Sequence, residues 1–373
     1  MPDDTFRYLS DGLTDEVLDQ GDRAVLRALR GPTLVRFPGG DHAPPRAVST
    51  LLHGDEPTGF QAMLHLLRER PRLPYTLYLF VGNVRAALAP PGYAHRYLDD
   101  QEDLNRIWAP SAVTTPLRDA AAQALQHLRD AGVATLVDLH NTSGATPSHA
   151  IVTRVRPATL NLATLFTTRI VHWELPNGAL VEALHDACDA VGIELGRPGR
   201  QPSFDLAVDG LRRYLTMPPV ETERVLRDHD LMTGLHRVTV PPEVRVRFGG
   251  ELHGDLDLVV PSDADRHNLV EVPAGHTLGR VHRGAPLPVE VTAADGHDVT
   301  EELLRIDGDR IVLTRAATPV MMTRTVEAVR KDCLVYLAVD PTRPSCASTS
   351  STSMPSNRSA SVRSKGTSER SST

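Results

Sequence analysis

The chain has 373 residues, of which 40% are hydrophobic, 23% charged and 4% aromatic, and its formal net charge is −7. That is globular composition, too apolar for a disordered chain and too long for a single core, so two domains and a tail are expected. The acidic balance argues against a nucleic-acid protein with a basic face, and no apolar run reaches the roughly 20 residues of a membrane helix.

In chain order, Ala47–Leu52 (AVSTLL) is a short apolar, β-branched run and predicts a strand. Thr58–Arg70 follows with Phe60, Met63, Leu64, Leu66 and Leu67 at helical spacing. Tyr75–Val81 reads as a second strand, Pro116–Ala131 as a helix built on Ala and Leu, and Ala134–Leu139 as a third buried strand. Ile151–Val155, Ile170–Trp173 and Val191–Leu195 are further strands, and Gln201–Leu215 and Pro219–Leu235 read as closing helices. Continuous apolar strands between amphipathic helices indicate an α/β domain with a largely internal sheet, over residues 1–238. From 239 to 340 short segments, Leu269–Val272 among them, alternate with Gly, Pro and Asp turns and predict a smaller β-rich domain. Residues 341–373 are dominated by Ser, Thr and Arg and read as a disordered tail. Cys188, Cys333 and Cys346 leave one thiol unpaired under any disulfide scheme, and the acidic start Met1–Thr5 has no signal-peptide core. A cytoplasmic setting is therefore expected, with no nucleic-acid or membrane partner.

The first strand ends in Leu52-His53-Gly54-Asp55-Glu56, where a buried strand meets a helix and ligands of open α/β sheets collect. His53 and Glu56 can point at one ion, though alone the pair reads equally as a capping carboxylate beside an incidental His. The third strand tips the balance, because Leu136-Val137-Asp138-Leu139-His140 is again apolar and again ends in His. A His₂Glu set is a catalytic zinc arrangement that leaves the fourth position for water. Asp138 shares a strand face with His140 and can accept its free ring N–H, or else only cap a turn. Arg85 and Arg106 each follow an apolar stretch, where a solvated surface Arg is the usual reading; a guanidinium also suits a carboxylate, and Asn105 adds two donors. Glu194 lies in the apolar, glycine-bracketed Gly192-Ile193-Glu194-Leu195-Gly196, a setting that either raises its pKa toward that of a general base or faces it to water.

In this order and at these spacings, HGDEPTG, NVRA, RYLDDQEDLNRIW, VDLHNTSG and GIELG resemble the succinylglutamate desuccinylase/aspartoacylase family, a branch of the zinc carboxypeptidase-like enzymes. The likeness runs by motif from Leu51 to Leu206 and more loosely through the β-rich part, and leaves out the tail. It implies a zinc carboxypeptidase-like mixed sheet flanked by helices, with a smaller β-rich C-terminal domain. It also implies one Zn2+ per chain on His53, Glu56 and His140. Arg85 would polarise the scissile carbonyl and stabilise its oxyanion, while Asn105 and Arg106 would hold the carboxylate of the amino-acid part. Glu194 would be the general base and afterwards the acid. The implied reaction is hydrolysis of the amide of a small N-acyl amino acid, N-acetyl or N-succinyl in type. A carboxypeptidase-like peptidase and a non-catalytic zinc-binding protein are the alternatives on the same scaffold, and a homo-oligomer is compatible with all three.

The resemblance has a gap. Aspartoacylases carry a further Arg shortly before the catalytic Glu, and Val181–Ile193 has none, His185 being its only potentially basic residue. N-acetylaspartate is in doubt as the substrate for that reason, with Arg154, Arg156, Arg197 and Arg200 as candidate replacements. His253-Gly254-Asp255 repeats H-G-D without the Glu and reads as a turn; His172-Trp173-Glu174 reads as structure or pocket wall, and Cys188 as an inert thiol.

Overall fold

The computed structural model describes residues 2–340, so the tail expected over 341–373 and Cys346 lie outside the described residues. Nine strands form one mixed sheet: β1 (Arg7–Leu9), β2 (Thr33–Phe37), β3 (Arg46–Thr50), β4 (Leu77–Val81), β5 (Thr135–His140), β6 (His149–Val152), β7 (Arg169–His172), β8 (Asp189–Glu194) and β9 (Asp230–Met232). Their order is β1-β2-β4-β3-β5-β8-β6-β7-β9. The centre, β4-β3-β5-β8, is parallel, and β2 and β6 run antiparallel to their inner neighbours.

Alternation along the strands explains the unbroken apolar runs. Val48, Val137 and Val191 join one apolar layer with Phe60 and Met63 of helix Thr58–Arg68 and Ala207 and Leu211 of helix Gln201–Thr216. Ala47, Leu136 and Ala190, one residue earlier on each strand, join a second layer with Leu117, Ala124 and Leu128 of helix Pro116–Asp130. Both faces of the sheet are covered, which is why apolar residues occupy both faces of these strands. The chain passes from β3 to β4 on one side and later to β5 on the other, which opens a crevice at the carboxyl ends of β3 and β5.

The β-rich part contains a four-stranded and a five-stranded sheet around a separate apolar cluster that includes Val238, Leu258, Leu278, Val291, Ile311 and Leu337. The large mixed sheet with helices is the α/β class read from the sequence. Two elements differ from expectation. Residues 219–235 form a loop and the edge strand β9 rather than a helix. The buried Asn161 clasps the loop, donating to the Glu221 and Arg224 carbonyls and accepting from Leu226 N, which fixes a non-helical path. Leu269–Val272 makes only an isolated bridge, Val272 to Ala317, because Leu269 takes a left-handed φ of 61° that breaks an extended run. No helix among the described residues is long and apolar enough to cross a membrane.

Candidate active site

Strand β3 leaves the sheet through Leu51, whose φ of 54° turns the chain so that His53 and Glu56 lie at the crevice. The Glu56 amide donates to the His53 carbonyl at 3.2 Å, closing the turn just before helix Thr58–Arg68. Strand β5 delivers His140 from the neighbouring edge. Ligand atoms of His53, Glu56 and His140, all three residues buried, lie within 4.8 Å of one another. The fold brings His140 to His53 and Glu56, more than eighty residues earlier in the chain.

Glu56 is the hub. Its Oε1 is 2.8 Å from His53 Nδ1 and its Oε2 is 2.8 Å from His140 Nδ1, while the Asn141 backbone N–H donates to Oε2 at 3.2 Å. Each imidazole is backed by a second carboxylate: Asp103 Oδ1 is 3.0 Å from His53 Nε2, and Asp138 Oδ2 is 2.8 Å from His140 Nε2. Burial alone would push the Glu56 carboxyl up, but the two imidazoles outweigh it and hold it well below the usual range. Burial likewise opposes the charged form of His140, yet Asp138 and Glu56 raise it well above an ordinary histidine. Asp103 is held low by His53 and Arg96 against its own burial.

This donor set fits a metal ion. Two imidazoles and a carboxylate face one another, and each ring presents its other nitrogen to a carboxylate, the arrangement that fixes the tautomer of a ligating histidine. These residues can hold a metal ion.

Glu194 sits at the end of β8, directly beside His140 in register. It is 8% exposed, and one carboxylate oxygen has no hydrogen-bond partner among the described residues. Burial raises it to about 7, with Glu56 adding repulsion and the histidines and Arg96 opposing the rise. A buried carboxyl that titrates near neutrality beside a candidate metal site is suited to proton transfer.

The structure separates the two arginines of this region. Arg85 pairs with Asp4 at 2.5 Å and with Asp100, and makes no contact with the His-Glu-His group among the described residues. Arg96, to which the sequence reading gave no role, lies 3.7 Å from Glu56 Oε1 and forks onto Asp103 through Nε and Nη2, each at 3.0 Å. Asn105 points its Nδ2 at His140 Nε2, 3.4 Å away, and accepts from Leu180 N. Arg106 donates to the Asn105 carbonyl and reaches Asp332 of the β-rich part at 3.9 Å. Asn141, also without a role in the sequence reading, accepts from Thr58 N and donates to the Gly196 carbonyl, tying the helix start to the exits of β5 and β8. The signal for Arg96 and Asp103 was present in RYLDDQEDLNRIW, which contains both.

Three of the four candidate replacement arginines have side-chain partners. Arg154 pairs with Asp186, Arg156 with Asp189, and Arg197 donates to the Gly144 carbonyl, while Arg200 precedes helix Gln201–Thr216 as its N-cap. Trp173 packs edge-on against Tyr336 of the β-rich part at 4.7 Å. Burial pushes the Cys188 thiol up to about 12, which makes it a poor nucleophile.

No protein-family model matches the chain, and no curated protein does. Solved structures similar to it bear the names of succinylglutamate desuccinylases, aspartoacylases and an aminoacylase. The succinylglutamate desuccinylase of Chromobacterium violaceum is 17% identical over 73% of this chain and 84% of its own, with a TM-score of 0.48. A succinylglutamate desuccinylase/aspartoacylase of Rhodobacter sphaeroides is 16% identical over 77% and 82%, with a TM-score of 0.47. A mutant of murine aminoacylase 3 is 17% identical over 80% and 95%, with a TM-score of 0.49.

Proposed function

We propose that the protein is a zinc-dependent amidohydrolase that splits a small N-acyl amino acid into a carboxylic acid and a free amino acid. The observation that carries this reading is the convergence of His53, Glu56 and His140 beside a buried Glu194 that titrates near neutrality. The motif resemblance supports the same chemistry. His53, Glu56 and His140 would hold the zinc, which when bound lowers the pKa of its water and polarises the acyl oxygen.

The chain's own residues do the rest. Glu194, deprotonated, takes the proton of the attacking water and afterwards returns it to the leaving nitrogen. Arg96 offers the guanidinium nearest to Glu56 among the described residues and would stabilise the negative charge that develops on the acyl oxygen, a role its position favours over that of Arg85. Arg106 and Asn105 would orient the substrate carboxylate. Asp103 and Asp138 hold the outer nitrogens of the two imidazoles. A small substrate is favoured because the β-rich part reaches the loop that carries these groups: Lys331 Nζ lies 5.1 Å over the Tyr97 ring, and Asp332 faces Arg106.

The test is a hydrolysis screen of N-acetyl and N-succinyl amino acids against short peptides, with zinc measured on the same sample. Turnover of an N-acyl amino acid with about one zinc per chain is expected. Turnover of peptides alone would make the protein a peptidase, and a zinc-loaded chain inert on both would overturn catalysis.

A further inference from the structure

The two strands that carry His140 and Glu194 leave the sheet side by side, and their exits are laced together. Leu195 N donates to the His140 carbonyl at 2.9 Å, and Thr142 N to the Gly196 carbonyl at 3.1 Å. Further out, Arg197 Nε donates to the Gly144 carbonyl at 3.1 Å. Both loops then meet one carboxylate from the β-rich part. Asp265, in the short turn Ala264–His267, is 2% exposed. Its Oδ2 accepts the Ala145 backbone N–H at 2.9 Å and lies 3.6 Å from Arg197 Nη2 and 3.3 Å from Arg324 Nε. Beside it, the buried Asn268 donates to Thr146 Oγ1 at 2.9 Å and accepts from Met322 N at 2.7 Å. A buried carboxylate is costly unless its charge is matched and its oxygens are bonded, and here two guanidinium groups and an amide meet that need.

Ala145 follows His140 by five residues and Arg197 follows Glu194 by three, so one side chain grips both exits close to the chemistry. We infer that Asp265 is a positioning residue: by holding Ala145 and Arg197 together it fixes the placement of Glu194 relative to His140. The catalytic consequence rests on the hydrolase reading, whereas the clamp stands on geometry alone. A carboxylate that merely docked the β-rich part would need a partner on one loop. Asp265 has one on each, and these loops carry the proposed base and a proposed metal ligand.

The test uses the full chain with Asp265→Ala, Asp265→Asn and Arg197→Ala. Hydrogen exchange is followed in the segments 141–147 and 195–200, alongside zinc content, melting temperature and steady-state kinetics on the best N-acyl amino acid. Asp265→Ala is expected to speed exchange in both segments together and to keep the zinc stoichiometry. It is also expected to lower kcat by about tenfold with KM changed less than about twofold, as misplacement of catalytic groups does. Asp265→Asn keeps an oxygen for the Ala145 N–H and is expected to recover part of kcat. Arg197→Ala is expected to act in the same direction, with the double variant little worse than either single one. Unchanged exchange in either segment overturns the clamp. Loosened segments with an unchanged kcat overturn the positioning role, and exchange raised throughout the chain would make Asp265 an anchor of the fold instead. Should the wild type turn over no N-acyl amino acid, the hydrolase reading fails while the exchange measurement still decides the clamp.

Discussion

Two arginines compete to polarise the substrate carbonyl, and their partners tell them apart. Arg85 is taken up by Asp4 and Asp100, and Asp4 also accepts from Gln101, so Arg85 helps to hold the loop that contains Arg96 and Asp103. Arg96 faces Glu56 itself. Removing a donor to a developing oxyanion costs about a hundredfold or more in rate. Arg96→Ala is therefore expected to lose about that factor in kcat/KM and Arg85→Ala less than about tenfold; the reverse order on the same substrate would restore the carbonyl role to Arg85. Glu194 gives a second expectation. Burial raises it to about 7, and a general base works only when deprotonated. Activity should rise with pH up to about 7 and then level, and Glu194→Gln should remove that acid limb with at least about a hundredfold of kcat while zinc content stays unchanged. Unchanged turnover in this variant would sink the assignment. His53, Glu56, His140, Asp138 and Glu194 were legible because each lies near or just beyond the end of an apolar run, and these runs end at the carboxyl ends of the central strands. Arg96, Asp103 and Asn141 lie inside the quoted motifs, but their roles were not readable because their partners depend on loop paths that no periodicity encodes.

Among the elements, the parallel strands and long helices were readable for the same reason that they pack. The helix expected over Thr58–Arg70 spans Thr58–Arg68, and the strand expected over Ala134–Leu139 spans Thr135–His140. Residues before Ala47 gave no reading, although Arg7–Leu9 and Thr33–Phe37 extend one side of the sheet; the first of these strands is three residues long, too short to carry a period. The other edge was misread over 219–235, where a buried Asn161 sets the backbone and local sequence does not. One glycine joins element packing to the site. A Cβ on Gly59 would lie 2.5 Å from Leu139 Cβ, so the helix that follows Glu56 rests on the strand that ends in His140 only because this side chain is missing. Overpacking of this kind costs about 1–3 kcal/mol. Gly59→Ala should lower the denaturant midpoint accordingly, despite the better helix propensity of Ala, and should weaken zinc binding by moving Glu56 away from His140. A variant as stable and as tightly zinc-binding as the wild type would show that the helix can back away freely.

Over the whole molecule, the division into a helical sheet and a β-rich part was legible as a change of punctuation, from long periodic helices to short strands between Gly, Pro and Asp. The contacts joining the two parts were not, since Trp173 against Tyr336 and Asp265 against Ala145 link positions more than a hundred residues apart. One buried group makes global stability depend on pH. His149, on β6 opposite Glu194, is fully buried; its Nδ1 contacts the Pro147 carbonyl at 3.1 Å and its Nε2 has no partner among the described residues. Burial lowers its pKa from 6.5 to about 4, with Arg169 adding to the effect and the Pro147 carbonyl opposing it. The unfolded chain thus binds a proton at a higher pH than the folded one. The stability this histidine contributes is complete above about pH 6.5 and is lost as pH falls toward about 4, a total of about 3 kcal/mol. Because other groups, Glu194 among them, also change protonation over this range, the clean measurement is a difference. The unfolding free energies of wild type and His149→Gln, both metal-free, are compared at several pH values. Any packing cost of the substitution is constant with pH. The gap between the two proteins should therefore move by about 3 kcal/mol in the variant's favour between pH 7 and pH 4. A gap that stays flat would mean that His149 takes up its proton inside the fold at an ordinary pH, which its burial forbids unless β6 opens.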